Sequence, residues 1–93
     1  MQFDWDHEKA ERNFQKHEVS FQEAKTAFDD PFCIDFFDPD HSDEEKRFIL
    51  VGQSSESRLL FVSYTERANK VRIISARQVT PRERRDYEYG RFE

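Results

Sequence analysis

A single cysteine, Cys33, is the first scarcity in this 93-residue chain, and it excludes an internal disulfide. A lone thiol suits a reducing cytoplasm. Two glycines and three prolines leave little material for long flexible loops, so the connections should be short. No apolar run approaches ~18 residues, which excludes a membrane-spanning helix. The opening Met1-Gln2-Phe3-Asp4-Trp5-Asp6 has neither a basic start nor a long apolar stretch and does not read as a signal peptide. His7, His17 and His41 are well separated, and no CxxC or HxxxH spacing occurs. Asp38, Asp40 and Asp43 lack the glycine and closing glutamate of a calcium loop, so they read as a solvated acidic turn. Glycine-rich phosphate loops and GxSxG elbows are also missing. No metal and no cofactor is therefore expected, and residues 1–93 should form one small cytoplasmic domain.

What the chain does contain is phenylalanine and charge. Ten Phe supply much buried area per side chain, and charged residues make up 38%. The net charge of −5 is unevenly spread. Residues 67–93 hold eight of the fifteen Lys and Arg but four of the twenty Asp and Glu, which makes that stretch +4 and the rest −9. A positive lobe on an acidic protein suggests a phosphate-rich ligand, because the local field attracts a polyanion.

Asp6 can cap a first helix with Ala10, Phe14 and His17 on one face. Ser20-Phe21-Gln22-Glu23 is a capping box opening a second helix, which Asp29-Asp30-Pro31 ends. From Phe32 the period changes to two, and further strand-like runs cover residues 47–51, 59–65 and 71–79. Hairpin-length linkers between them predict a four-stranded antiparallel meander, with residues 3–5 as a possible short edge strand. Thr80, Pro81 and Glu83 open a final capped helix that Gly90 is placed to end. The expected fold is α+β: two helices, a curved sheet and a C-terminal helix.

Strand parity predicts which side chains share a face. Leu60, Val62, Tyr64 and Glu66 fall on one face of their strand, and Leu59, Phe61, Ser63 and Arg67 on the other. On the next strand Val71, Ile73, Ser75 and Arg77 oppose Arg72, Ile74 and Ala76, so Arg72 and Arg77 should lie on opposite faces. Metal-free RNA cleavage needs a proton acceptor, a proton donor and cations on the phosphate. Arg47, Arg67, Arg72 and Arg77 suit the phosphate role, since the guanidinium fork matches two oxygens. Glu45, Glu66, Tyr64 and His17 are the proton-transfer candidates, and Lys70, Arg82 and Arg84 are further RNA contacts. Each has an ordinary structural reading as well. Strand-end arginines serve as surface ion-pair partners. His17 also fits a packed helix end, Trp5 a core anchor, and Arg82, Arg84 and Arg85 a solvated helical face.

The motifs resemble those of BrnT-type toxins. The resemblance runs through Phe3-Asp4-Trp5-Asp6, Lys9, Asn13 and Lys16-His17-Glu18-Val19-Ser20-Phe21-Gln22-Glu23-Ala24. It continues through Phe28, Glu45, Arg47, Gly52, Val62-Ser63-Tyr64-Thr65-Glu66-Arg67 and Arg72-Ile73-Ile74-Ser75-Ala76-Arg77, and ends at Thr80, Glu83-Arg84 and Tyr87. Gln22 and Gln78 stand where an acidic and a basic residue are common in that family. The resemblance implies a RelE-like fold and a ribonuclease toxin that inhibits translation, without a cofactor. It also implies a BrnA-like antitoxin with a ribbon-helix-helix end, through which DNA is reached indirectly. Of the motif residues, Glu45, Arg47, Tyr64, Glu66, Arg67, Arg72 and Arg77 are chemically suited to the reaction, with His17 as an addition. The rival reading is a non-catalytic antitoxin-binding partner in a promoter-binding, autoregulatory complex.

Overall fold

The computed structural model describes residues 1–90. Arg91, which contributes to the basic third of the sequence, lies outside the described residues. Five strands, β1 (Gln2–Asp4), β2 (Ile34–Asp38), β3 (Arg47–Gln53), β4 (Leu59–Arg67) and β5 (Lys70–Gln78), join three helices, α1 (His7–His17), α2 (Phe21–Ala27) and α3 (Pro81–Glu88). The strand order is β1-β5-β4-β3-β2. Strands β2 to β5 form the expected antiparallel meander. The short first strand does form, and it pairs in parallel with β5, so the sheet is mixed and five-stranded rather than four-stranded and antiparallel. Among the described residues no helix is long and apolar enough to cross a membrane.

The capping chemistry works locally as its residues dictate. Asp6 accepts from the backbone N–H groups of Glu8 and Lys9, and Ser20 from that of Glu23. Thr80 and Glu83 make the reciprocal box at α3, with Pro81 in its first turn. Helix α1 ends at Glu18, whose φ of 56° is left-handed. Its carbonyl accepts from Arg58 Nη2 at 3.0 Å.

Helices α1 and α2 cover one face of the sheet. There Val19, Phe21, Ala24 and Ala27 pack on Leu50, Leu60, Val62, Tyr64, Val71, Ile73 and Ala76. The phenylalanines are spent here on an aromatic chain: Phe3–Phe28, Phe28–Tyr64, Tyr64–Phe48 and Phe48–Phe37, with centroids 5.0, 5.1, 5.6 and 5.9 Å apart. Gly52 lets α2 approach β3, because a Cβ there would lie 2.7 Å from the Ala27 carbonyl oxygen. Glu23 is buried, yet it is satisfied by an ion pair with Arg58 and by Ser54 Oγ at 2.7 Å. The hydrogen bonds from Arg58 are the main reason that its carboxyl is held below the usual range.

A second, smaller cluster forms on the other face from Ile49, Val51 and Leu59. It is covered by Val79 and Tyr87 at α3.

One irregularity decides which residues share that second face. Ser63 pairs with Ser75 but Tyr64 pairs with Ile73, so Ile74 has no partner and forms a one-residue bulge. A bulge reverses the alternation of the strand. Ile73 and Ala76 therefore both face the helices, and Arg72 and Arg77 fall on the same face, opposite Thr65 and Phe61. Simple parity, which separates the two arginines, fails at this point.

Asn13 anchors α1 to β5 just past the bulge. The strand β1 pairs only as far as Arg72, and beyond it the edge of β5 lacks a strand neighbour among the described residues. There the buried Asn13 amide donates to the Ala76 carbonyl at 2.8 Å and to the Val19 carbonyl at 3.0 Å, and accepts from the Ala76 N–H at 3.1 Å. Replacing Asn13 by Ala leaves three buried backbone groups unpaired. We predict a loss of about 2–4 kcal/mol in chemical denaturation for Asn13→Ala; a loss below ~1 kcal/mol would mean that this amide does not fasten the helix.

Candidate active site

The face of the sheet away from α1 and α2 carries a row of charge. Register places Asp38, Arg47, Thr65, Arg72 and Asp4 side by side across all five strands. Residues aligned in this way point to one face, so two arginines, each with an aspartate on its outer side, flank a central threonine. Arg67, two residues beyond Thr65 on β4, adds a third guanidinium. Thr65 is only 2% exposed, and its Oγ1 donates to the Lys46 carbonyl at 2.6 Å. That bond ties down the segment between β2 and β3.

The same segment, read from sequence as a solvated acidic turn, is ordered by its own side chains. Residues Pro39–His41 form a 3-10 turn capped by Asp38. Ser42 Oγ donates to the Asp38 carbonyl and accepts from the Arg47 N–H at 2.9 Å. His41 Nδ1 lies 2.9 Å from Asp38 Oδ2. Together the segment and the strands enclose a cleft of about 500 Å³ lined by Asp40, His41, Asp43, Glu44, Glu45, Arg47 and Arg67.

Inside this group Glu45 and Arg67 form a two-pronged pair, Nε–Oε2 and Nη2–Oε1 both 3.0 Å. Hydrogen bonding from Arg67 is the chief reason that the Glu45 carboxyl is held below its usual range; the charges of Arg67, Arg47 and Arg72 add to it. Arg72 reaches Asp4 Oδ1 at 3.4 Å. Arg47 makes no side-chain ion pair among the described residues. The cluster thus holds three guanidinium forks, of which one is uncommitted, and an ionised carboxylate.

The structure brings together Glu45, Arg47, Arg67 and Arg72 and separates the remaining candidates from them. Tyr64 is 5% exposed, on the helix-covered face. Burial, and then the Asp35 carboxylate that its hydroxyl meets at 3.0 Å, push this phenol well above its ordinary value. A buried phenol held protonated on the far face has no route to the arginine row, so a proton-transfer role for Tyr64 does not fit this geometry. Glu66 is exposed and aligned with Val71, also on the helix side.

Arg77 sits in the row of Phe61, four residues along β4 from Thr65, or about 13 Å at ~3.3 Å per residue. Its guanidinium lies 4.2 Å from the Phe61 ring centroid and grips Glu83 at 2.7 and 2.9 Å, which fastens α3. His17, at the end of α1, feels the charge of Arg77 rather than that of Glu45; burial first, then Lys16 and Arg77, lower its pKa. Lys70 is exposed at the turn between β4 and β5, and Arg82 and Arg84 are exposed on α3. His41, weighed in the sequence only as a metal ligand, also lines this cleft. Its signal was an aspartate three residues before it in a turn that starts with proline.

The Glu45–Arg67 pair has a measurable consequence. Because the folded carboxyl lies below the unfolded value, the pair stabilises at pH above the ordinary glutamate range, and the effect is lost as pH falls through the depressed value. In Arg67→Ala, the Glu45 carboxyl should titrate at higher pH than in the parent chain, as followed by side-chain carbonyl NMR. An unchanged midpoint would mean that Arg47 and Arg72 alone set it.

Comparison with known proteins bears on the family and the fold. Residues 5–83 match the family model described as the ribonuclease toxin BrnT of type II toxin–antitoxin systems. The structure is similar to the 1.1 Å crystal structure of the Brucella abortus ribonuclease toxin BrnT, with a TM-score of 0.63. The identity is 18%, and the match covers 86% of this chain and 97% of the other. At that identity the likeness concerns the fold. No curated protein matches the chain. The family match spans most of the sequence, and the chain belongs to the BrnT family of ribonuclease toxins of type II toxin–antitoxin systems.

Proposed function

We propose that this toxin cuts RNA endonucleolytically without a metal ion, at the arginine row on the open face of the sheet. The observation that carries the reading is the convergence of Arg47, Arg67 and Arg72 on one face beside the ionised Glu45. Three guanidinium groups can neutralise a phosphate whose charge grows as it becomes pentavalent, the role a metal would otherwise fill. Glu45 is the proton acceptor for the attacking 2′-hydroxyl. In the resting state its hydrogen bonds to Arg67 make it a weak base. A phosphate that draws Arg67 away removes that restraint and raises its basicity at the moment of reaction.

Lys70, Arg82 and Arg84 are exposed cations that extend the contact to flanking nucleotides, and their effect should be salt-dependent and modest. Such cleavage would stop translation and act in the cytoplasm, and the fold arrangement supports kinship with RelE-like toxins. The partner is a BrnA-like ribbon-helix-helix antitoxin, which would link the pair to DNA. An antitoxin that covers the arginine row would silence the toxin by occupying the phosphate site.

The test is RNA cleavage by the purified chain in EDTA. Arg47→Ala and Arg72→Ala should each lower the rate by roughly 10²–10³-fold, the scale for losing one charge-stabilising donor. Undiminished cleavage in both variants, or a strict requirement for a divalent metal, would overturn the mechanism.

A further inference from the structure

We propose that His41 is the general acid of the cleft, the group that protonates the leaving 5′-oxygen of the scissile phosphodiester. The inference rests on the phosphate site proposed above and adds the half of the proton transfer that Glu45 cannot perform. Glu45 is held ionised by its arginines, so it can take a proton but has none to give. Among the residues that line the cleft, His41 is the one whose side chain can carry a proton at neutral pH and release it during a turnover.

The geometry supports this role. Asp38 ends β2 and takes part in the charged row, and its Oδ2 holds His41 Nδ1 at 2.9 Å. A carboxylate on one ring nitrogen fixes the ring and assigns the proton there, which leaves Nε2 to face substrate. The ring is not packed away: its side chain is 67% exposed, against 16% for Asp38. Asp38 itself is fixed, because it caps the 3-10 turn through Oδ1 and its carbonyl accepts from Ser42. On the loop side the charges that meet His41 in the cleft are Asp40, Asp43, Glu44 and Glu45. From the strands they are Arg47 on β3 and Arg67 on β4. The arginines favour the phosphate that His41 must approach.

The step balances as an internal transfer. The 2′-hydroxyl proton passes to Glu45, and the 2′-oxygen forms a bond to phosphorus. The bond from phosphorus to the 5′-oxygen breaks with its electron pair on oxygen, and His41 Nε2 supplies the proton. The products are a 2′,3′-cyclic phosphate and a 5′-hydroxyl end. Glu45 then gives up its proton to solvent and His41 regains one, with no oxidant or reductant involved.

The experiment compares His41→Gln with the parent chain on two substrates. One is a ribonucleotide dimer; the other is a nucleoside 3′-(4-nitrophenyl phosphate), whose leaving group departs without a proton. Glutamine keeps a donor for Asp38, and equal thermal melting checks the fold. The expected result is a loss of about 10²-fold or more in kcat on the dimer, with the nitrophenyl ester slowed by less than about threefold. The alkaline limb of the pH–rate profile on the dimer should disappear in His41→Gln. Equal losses on the two substrates, or no loss on the dimer, would overturn the assignment. Arg47→Ala separates this from the parent reading. If that variant is inactive while His41→Gln is unimpaired, only the acid assignment falls; if both cleave RNA normally, the phosphate site itself is wrong.

Discussion

The open edge of β5 beyond Arg72 has to be closed, and Asn13 closes it. Strand β1 supplies partners for three residues and stops. The Asn13 amide then offers one donor and one acceptor to Ala76, as a further strand would. Because a buried peptide group without a partner is costly, this side chain fixes where α1 lies over the sheet. It also fixes the stretch of β5 in which the Ile74 bulge occurs, and the bulge turns Arg72 and Arg77 to one face. The helix-covered core and the charged open face are thus set by the same few residues between Ile73 and Ala76.

The charged face holds its arginines in a state of partial neutralisation. Arg67 is shared with Glu45, Arg72 with Asp4 and Arg77 with Glu83. At this level of exposure such pairs contribute little to stability, so their value lies in orientation. Each guanidinium is aimed and desolvated only in part, so that under the proposed function a phosphate would take the place of its carboxylate partner. Arg77 differs from the others. Its stacking on Phe61 and its two bonds to Glu83 make it the clasp of α3. An acidic chain can therefore carry a local cluster of arginines, most of them held by carboxylates, at a net charge of −5.

Much of the fold was legible in the residues. Ser20 with Glu23 and Thr80 with Pro81 and Glu83 announced their helices, since a cap is a local event. The meander followed from linker length. The bulge at Ile74 was not legible, because no glycine or proline marks it; it exists to bring both Ile73 and Ala76 into the core. Parity grouped Tyr64 with Leu60 and Val62 correctly. It could not say that this group faces the helices, since both faces of β4 have apolar middles. For the site, motif chemistry picked out Glu45, Arg47, Arg67 and Arg72, which the structure gathers. His41 carried no such signal, because a lone histidine in an acidic turn has no spacing signature; that it lines the same cleft as Glu45 shows only in the fold.

The central claim is that RNA binds on the arginine row. It is tested most directly by NMR titration of the protein, with the arginine side chains labelled, against an RNA oligonucleotide blocked by 2′-deoxy substitution. The account predicts that the Nε resonances of Arg47, Arg67 and Arg72 and the Thr65 amide shift together and saturably. Shifts confined to the helices α1 and α2, with the arginine row unmoved, would contradict it.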